Sequence, residues 1–136
     1  MTKREIINLC LELPDVYEDY PFDLITADPT AWAAIRHKGN YKSFAFITVY
    51  GGRLIINLKC DPMDAIFLRQ MFKGVTAGYH MNKEHWNTIY LDGGVPLELL
   101  KDMIRHSYEL SKSKRAGGGI RHQRSRIRGQ RMEVRE

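Results

Sequence analysis

The stretch GYHMNKEHWNT, residues 78–88, concentrates side chains that could do chemistry. His80 and His85 lie on either side of Lys83, and Trp86 follows directly. Such a set could form a metal site, a catalytic loop, a nucleic-acid contact or a packed turn of a small domain. Each possibility needs different partners elsewhere in the chain, and those partners decide between them.

A metal site is disfavoured because ligands are too few. Zinc takes three or four Cys, His or carboxylate ligands, whereas this stretch offers two histidines and Glu84, without an HExxH pattern. The chain has two cysteines, Cys10 and Cys60, and neither belongs to a CxxC motif. Cys10 lies among apolar residues, which indicates burial. We therefore predict no metal and no cofactor.

Catalysis at His80 or His85 would need an orienting carboxylate and a reacting group. Ser107 and Tyr108 could approach from a distant helix, but no spacing in the sequence indicates that they do. The chain also lacks a glycine-rich phosphate loop leading into a helix. We predict that the protein is not an enzyme, with an activity at the two histidines as the remaining alternative.

Nucleic-acid contact fits the residue types better. Lys83 and the histidines would supply phosphate donors beside Trp86, a ring able to stack on a base. Asn82 can shape a tight turn, although packing alone would also explain Asn82 and Trp86. A second basic-aromatic turn spans residues 38–42. The predicted nucleic-acid-binding residues are Lys42, Lys59, His80, Asn82, Lys83, His85, Trp86, Arg121, Arg124, Arg126 and Arg128.

Charge is distributed unevenly along the 136 residues. The net charge is +5, yet residues 1–111 carry 12 basic and 14 acidic side chains, a net −2. The remainder carries nine basic and two acidic side chains. The apolar fraction of 43% is typical of a globular domain. No run approaches the length of a membrane span and the start lacks signal-peptide features, so we expect a cytoplasmic protein with no membrane contact.

Local patterns predict an α+β domain. A capping box, Thr2 to Glu5, begins the first helix, and Asp61-Pro62 begins the second. Pro96 opens the third. Strand patterns cover residues 32–37, 43–50, 53–59, 75–81 and 86–91. The predicted order is α-β-β-β-α-β-β-α, a two-layer fold with a mainly antiparallel sheet.

Residues 113–136 form a predicted disordered, Arg-rich tail, because no sustained apolar period follows Gly117-Gly118-Gly119. A flexible arginine-rich arm binds phosphates without sequence preference. The alternative is a solubilising or vector-derived extension. The predicted globular domain spans residues 1–112.

A family resemblance follows from specific residues. Pro21-Phe22, the run from Tyr79 to Trp86, Leu58-Lys59 before Asp61-Pro62, and Ser107-Tyr108 together resemble the MmcQ/YjbR family. Asp23 and Ala77 depart from residues usual in that family, Gly and Pro. The resemblance implies a compact domain with a frataxin-like or secretion-chaperone-like fold and two hairpin wings. It also implies DNA binding and no attached reaction.

These observations predict a small cytoplasmic MmcQ/YjbR-like domain, monomeric, that binds DNA weakly and without sequence specificity. Its basic turns and Arg-rich tail would make the contacts. The alternative function is a non-enzymatic module that binds a protein or small ligand on the open sheet face. Phe44, Phe46 and Tyr50 alternate along the second predicted strand, as do Trp86, Thr88 and Tyr90 along the last, and could line that face. We expect the phenylalanines in the core and Tyr50 and Tyr90 partly exposed.

Overall fold

The structure is a computed structural model that describes residues 1–22, 27–79, 81–112 and Ile127. Along the described chain the elements are α1 (Lys3–Leu11), β1 (Val16–Asp19), β2 (Ala33–His37), β3 (Ser43–Tyr50), β4 (Arg53–Lys59), α2 (Pro62–Met71), β5 (Val75–Ala77), β6 (Trp86–Tyr90) and α3 (Leu97–Ser111). Over these residues the strands form one antiparallel sheet in the order β1-β2-β3-β4-β6-β5. The predicted α+β class is confirmed.

Helix ends follow the signals in the sequence. Thr2 and Glu5 form the predicted capping box at the start of α1. Asp61 caps α2 by accepting the Met63 amide at 2.9 Å and the Asp64 amide at 3.4 Å, and Pro62 occupies the first turn. These contacts satisfy backbone donors that a helix leaves unpaired at its beginning. The helices therefore begin within one residue of the predicted positions.

One face of the sheet packs on the helices and forms the apolar core. The core includes Ile6 of α1, Ile35 of β2, Ile56 of β4, Leu68 of α2 and Ile104 of α3. A register shift between Ile35 and Arg36 in the β2–β3 pairing interrupts the alternation. Phe44 is consequently fully buried in the core while Phe46 is half-buried.

Ser107 ties α3 to the ends of two strands. Its hydroxyl accepts the Lys59 amide at 2.8 Å and donates to the Phe44 carbonyl at 2.6 Å, and it is fully buried. The adjacent Tyr108 donates to the Pro14 carbonyl at 2.8 Å. This pair fixes the last helix against the strand ends that carry several predicted site residues.

Among the described residues, no helix combines the length and apolar character that a membrane crossing requires. Within residues 113–136, the predicted disordered tail, the structure describes Ile127, which is 2% exposed and packs with the core. This burial differs from the expectation for that position. The other tail residues lie outside the described part of the chain.

Candidate nucleic-acid interface

The turn before β6 is held by its own side chains and backbone. The Asn82 side chain accepts the Glu84 amide at 2.9 Å, and the Asn82 carbonyl accepts the Trp86 amide at 3.0 Å. Gly78 closes the turn by donating to the Trp86 carbonyl at 2.9 Å. A Cβ at Gly78 would lie 2.8 Å from the Trp86 Cβ, so this close approach requires glycine. Asn82 thus shapes the turn, the role predicted for it.

Lys83 is partly engaged inside the same turn. Its ammonium donates to the Gly78 carbonyl at 3.0 Å, which uses one of its three donors. The His85 Nε2 lies 3.2 Å from a Glu84 carboxylate oxygen. His80 lies outside the described residues. The predicted phosphate donors of this turn are therefore partly committed to local contacts.

Arg69 of α2 stabilises this turn, although no pattern in the sequence indicates this role. Its Nε donates to Asn87 Oδ1 at 2.6 Å, and its Nη2 donates to the Trp86 carbonyl at 3.2 Å and also to the Lys83 carbonyl. A guanidinium can serve several acceptors at once because its donors form a rigid fork. Three-dimensional packing brings α2 to the turn, and no sequence spacing encodes that approach.

Lys59 and Trp86 lie directly opposite each other in the β4–β6 pairing. Strand alternation places both on the face turned away from the helices, together with Phe46. The Trp86 and Phe46 rings are tilted at 55°, with centroids 5.7 Å apart. Both residues are half-buried, so the indole packs on a neighbour and keeps an exposed portion.

The second turn, residues 38–42, projects an aromatic ring between two lysines. Lys38 and Lys42 are exposed, and Tyr41 is 68% exposed with a φ of 62°. The Asn40 side chain accepts the Lys42 amide at 2.9 Å and donates to the Ser111 carbonyl at 2.9 Å. This turn is thus fixed to the end of α3.

The two turns lie at the same end of the sheet. In this antiparallel arrangement β2 and β4 end where β3 and β6 begin, and α3 ends there too. We call this end the basic edge; it comprises Lys38, Lys42, Lys59, Lys83, His85 and Lys112. Within the described chain, no ion pair includes Lys38, Lys42 or Lys59. His85 and Lys112 have acidic neighbours, Glu84 at 3.2 Å and Glu109 at 3.7 Å.

The centre of the sheet face opposite the helices is covered. Thr48 is 2% exposed and donates to the Thr30 carbonyl at 2.8 Å. Asn57 is fully buried and donates to the Tyr79 carbonyl at 3.1 Å. Segments before β2 and after β5 therefore lie over this face, which was predicted as open in the alternative function. Tyr50 remains 44% exposed, as expected.

The predicted tail arginines, Arg121, Arg124, Arg126 and Arg128, lie outside the described residues. Ile127, which stands between Arg126 and Arg128 in the sequence, is described and lines a small apolar cavity with Lys59, Cys60 and Leu68 among others. Lys59 belongs to the basic edge. The described part of the tail thus contacts the body beside that edge.

A match to a protein-family model shows which family the chain belongs to. The model of the family described as YjbR matches residues 11–110. The chain belongs to the YjbR family. Both turns of the basic edge lie within the matched residues, whereas the arginines from Arg121 onward lie beyond the YjbR domain.

Named relatives are consistent with this assignment. The Escherichia coli K12 protein YjbR is 30% identical over 109 residues, covering 80% of this chain and 86% of that protein. The Bacillus subtilis protein YyaQ is 30% identical over 122 residues, covering 82% and 99%. Neither name states a ligand or a reaction.

Solved structures share the YjbR fold. A Pseudomonas syringae protein superposes with a TM-score of 0.70 at 28% identity, covering 82% of this chain and all of that one. A Deinococcus radiodurans protein with a DUF419 domain gives 0.69 at 36% identity, covering 83% and 80%. The family and fold are therefore established, and function has to be argued from the site itself.

Proposed function

We propose that this YjbR domain binds duplex DNA weakly and without sequence specificity through the basic edge, with the Arg-rich tail adding electrostatic affinity. The observation that carries this proposal is the placement of two basic-aromatic turns at one end of the sheet, beside the point where the tail begins. The net charge of the folded part does not reveal this placement.

The basic edge is wide enough to contact several phosphates of a DNA backbone. The turn before β3 and the turn before β6 are separated by two strand spacings, about 10 Å. Lys42 directly precedes β3, and Lys59 is the last residue of β4. Both therefore lie between the outermost residues of the two turns. Cations distributed over such a distance can contact neighbouring phosphates of one duplex, which carries a charge every ~1.7 Å of its axis.

The same geometry argues for the absence of sequence specificity. Base readout needs a helix or a β-ribbon inserted in a groove, with side chains aimed at base edges. At the basic edge the lysine ammonium groups suit phosphate contacts, and the other exposed groups include the Tyr41 ring, part of the His85 imidazole and the Glu84 carboxylate. Phosphate contacts position a protein on DNA and carry no sequence information by themselves.

The binding experiment compares full-length variants by fluorescence anisotropy with a labelled duplex at low salt. The edge variant is Lys38→Ala with Lys42→Ala. Its matched control is Lys73→Ala with Lys101→Ala, which removes the same charge from exposed positions remote from the edge. A third variant replaces Arg121, Arg124, Arg126 and Arg128 with glutamine. Full-length protein is needed because truncation would remove the buried Ile127.

We expect the edge variant to weaken binding several-fold and the control to bind like the unmodified protein. The glutamine variant should weaken binding further, since each lost phosphate contact reduces the counterion release that drives association. Equal losses in the edge variant and its control would show that only total charge matters. Loss confined to the glutamine variant would show that the domain itself is not a DNA reader.

A further inference from the structure

Three potential metal ligands converge behind the basic edge, in residues that the nucleic-acid proposal does not use. Cys60 follows β4, Asp64 lies in the first turn of α2, and His106 comes from α3. One ligand atom from each residue lies within 4.8 Å of the others. These three residues therefore connect α2 and α3 to the end of β4.

The fold positions these side chains through contacts already described. Asp61 caps α2 directly after Cys60, which brings Asp64 one helical turn beyond the cysteine. Ser107 anchors α3 to the Lys59 amide and the Phe44 carbonyl, so the preceding residue, His106, is held beside the same strand end. Asp64 and His106 lie on helices, and Cys60 lies in the two-residue connection between β4 and α2.

The separations suit a tetrahedral ion after a small adjustment. The His106 Nε2 lies 3.7 Å from Asp64 Oδ2. Ligand bonds of about 2.0–2.3 Å to zinc place neighbouring tetrahedral ligands about 3.3–3.8 Å apart. Small side-chain rotations that shorten the widest separation between ligand atoms by about 1 Å would bring all three into that range.

Burial and chemistry favour a thiophilic divalent ion. Cys60 is 4% exposed and Asp64 is 1% exposed, whereas the His106 side chain is 24% exposed. A thiolate and a carboxylate would neutralise a 2+ ion in this largely buried position, and a thiolate with an imidazole is a donor set typical of Zn²⁺. The partly exposed side leaves room for solvent as a fourth ligand.

We propose that Cys60, Asp64 and His106 form a Zn²⁺-binding site with a solvent molecule as the fourth ligand. Binding would release the thiol proton of Cys60 to solvent, because the thiolate is the ligand. The His106 Nε2 accepts the Asp61 amide at 3.2 Å. Coordination through Nε2 would replace this long hydrogen bond. The site is independent of the DNA proposal.

The test uses Co²⁺ as a spectroscopic substitute for Zn²⁺ on reduced full-length protein. Cysteine coordination produces a thiolate-to-cobalt charge-transfer band in the near ultraviolet, which histidines elsewhere in the chain cannot produce. Cys10 provides the matched control, because burial raises the pKa of its thiol to about 12 and disfavours the thiolate. The variants are Cys60→Ser, Cys10→Ser and His106→Gln.

We expect the unmodified protein and Cys10→Ser to show the band, and equimolar Zn²⁺ to abolish it. Cys60→Ser should lack the band. His106→Gln should retain it with affinity lowered at least about tenfold, a loss that substitutions of even outer-shell groups produce. Zn²⁺ should also raise the Tm of the unmodified protein, because it binds the folded state.

Absence of the band in the unmodified protein would overturn the proposal, as would its persistence in Cys60→Ser. Unchanged cobalt affinity in His106→Gln would equally contradict the three-ligand site. If Cys60→Ser fails to fold, as judged by circular dichroism, the unmodified protein and His106→Gln still decide the result.

Discussion

Tyr41 is the residue whose conformation most clearly departs from what packing requires. Its φ of 62° is in the left-handed region, and its side chain is 68% exposed. A bulky residue in this region costs roughly 1–2 kcal/mol relative to glycine. The Asn40 contact to Ser111 fixes the surrounding turn and maintains the conformation. A strained and exposed ring between two lysines supports the proposed contact surface.

The substitution Tyr41→Gly is expected to change DNA affinity while leaving the free energy of unfolding nearly unchanged. Relief of backbone strain offsets the greater flexibility of the unfolded chain, so the free energy of unfolding should change by less than about 1 kcal/mol. DNA affinity should nevertheless fall several-fold, because we expect the exposed Tyr41 hydroxyl to donate to a phosphate of the duplex. Urea denaturation and anisotropy measure the two effects. Unchanged DNA affinity would show that the ring makes no contact.

His37 links this turn to the end of α3 and makes the link sensitive to pH. Its Nε2 lies 2.9 Å from the Ser111 hydroxyl, and its ring packs on Phe44 and Tyr108. Burial lowers the pKa of His37 below its usual value, with Lys112 also lowering it, while a backbone contact to Tyr108 and the charge of Glu109 act in the opposite direction.

A lowered pKa for a base means that the folded state disfavours the protonated form. The stabilising contribution is therefore present above about pH 6.5, the ordinary histidine value, and is lost as the pH falls through the folded-state pKa. We expect the urea midpoint to decrease between pH 7.5 and pH 5.5, and to decrease less in His37→Gln. Equal decreases in both proteins would assign the effect to other groups. Glu18, whose pKa is lowered by Arg4, titrates at lower pH.

Some site residues were predictable from the sequence because their signals are local. Asn82 in a turn and Lys59 at a strand end follow from residue type and strand pattern. Arg69 was not predictable, since its acceptors come from a different part of the chain. Cys60, Asp64 and His106 were also missed as a group, because His106 belongs to another helix and the spacing from Cys60 to Asp64 matches no familiar motif.

At the scale of elements, the sequence predicted every described element except β1. Its residues, VYED, include two charged side chains among four and match none of the strand patterns predicted from the sequence. They pair with β2 at the sheet edge, and two ion pairs hold the acidic side chains, Arg4 to Glu18 and Arg36 to Asp19, both at 2.8 Å. An edge strand can be polar because it buries little surface. β5 ends at Ala77, earlier than predicted, because Gly78 begins the turn.

Ile127 provides the element-scale prediction. Since this side chain is 2% exposed and packs with the core, Ile127→Ala should lower the free energy of unfolding by about 2–5 kcal/mol. Leu97→Ala is the control, because Leu97 is 45% exposed and should cost less than about 1 kcal/mol. Urea denaturation of the full-length variants measures both. A cost at Ile127 no larger than at Leu97 would indicate that this part of the tail does not stabilise the domain.

For the whole molecule, the distribution of charge matters more than its sum. Residues 1–111 have a net charge of −2. The acidic residues Asp28 and Asp92 lie toward the end of the sheet opposite the basic edge, where Asp92 pairs with Arg53. Asp19 pairs with Arg36, whose guanidinium also donates to the Tyr41 carbonyl at the basic edge. The sequence indicated two basic turns but could not show that they share an end, since that depends on strand order. Local fields of this kind can attract an anionic partner to a net-negative domain.

The measurement that tests DNA binding by the domain most directly is the salt dependence of duplex affinity. It uses the full-length variant with Arg121, Arg124, Arg126 and Arg128 replaced by glutamine, with and without Lys38→Ala and Lys42→Ala. If both lysines contact phosphates, removing them should make the slope of log K against log salt shallower by about 2. The control pair Lys73→Ala and Lys101→Ala should leave the slope unchanged. An identical slope in the edge variant and its parent would contradict phosphate contact at the basic edge.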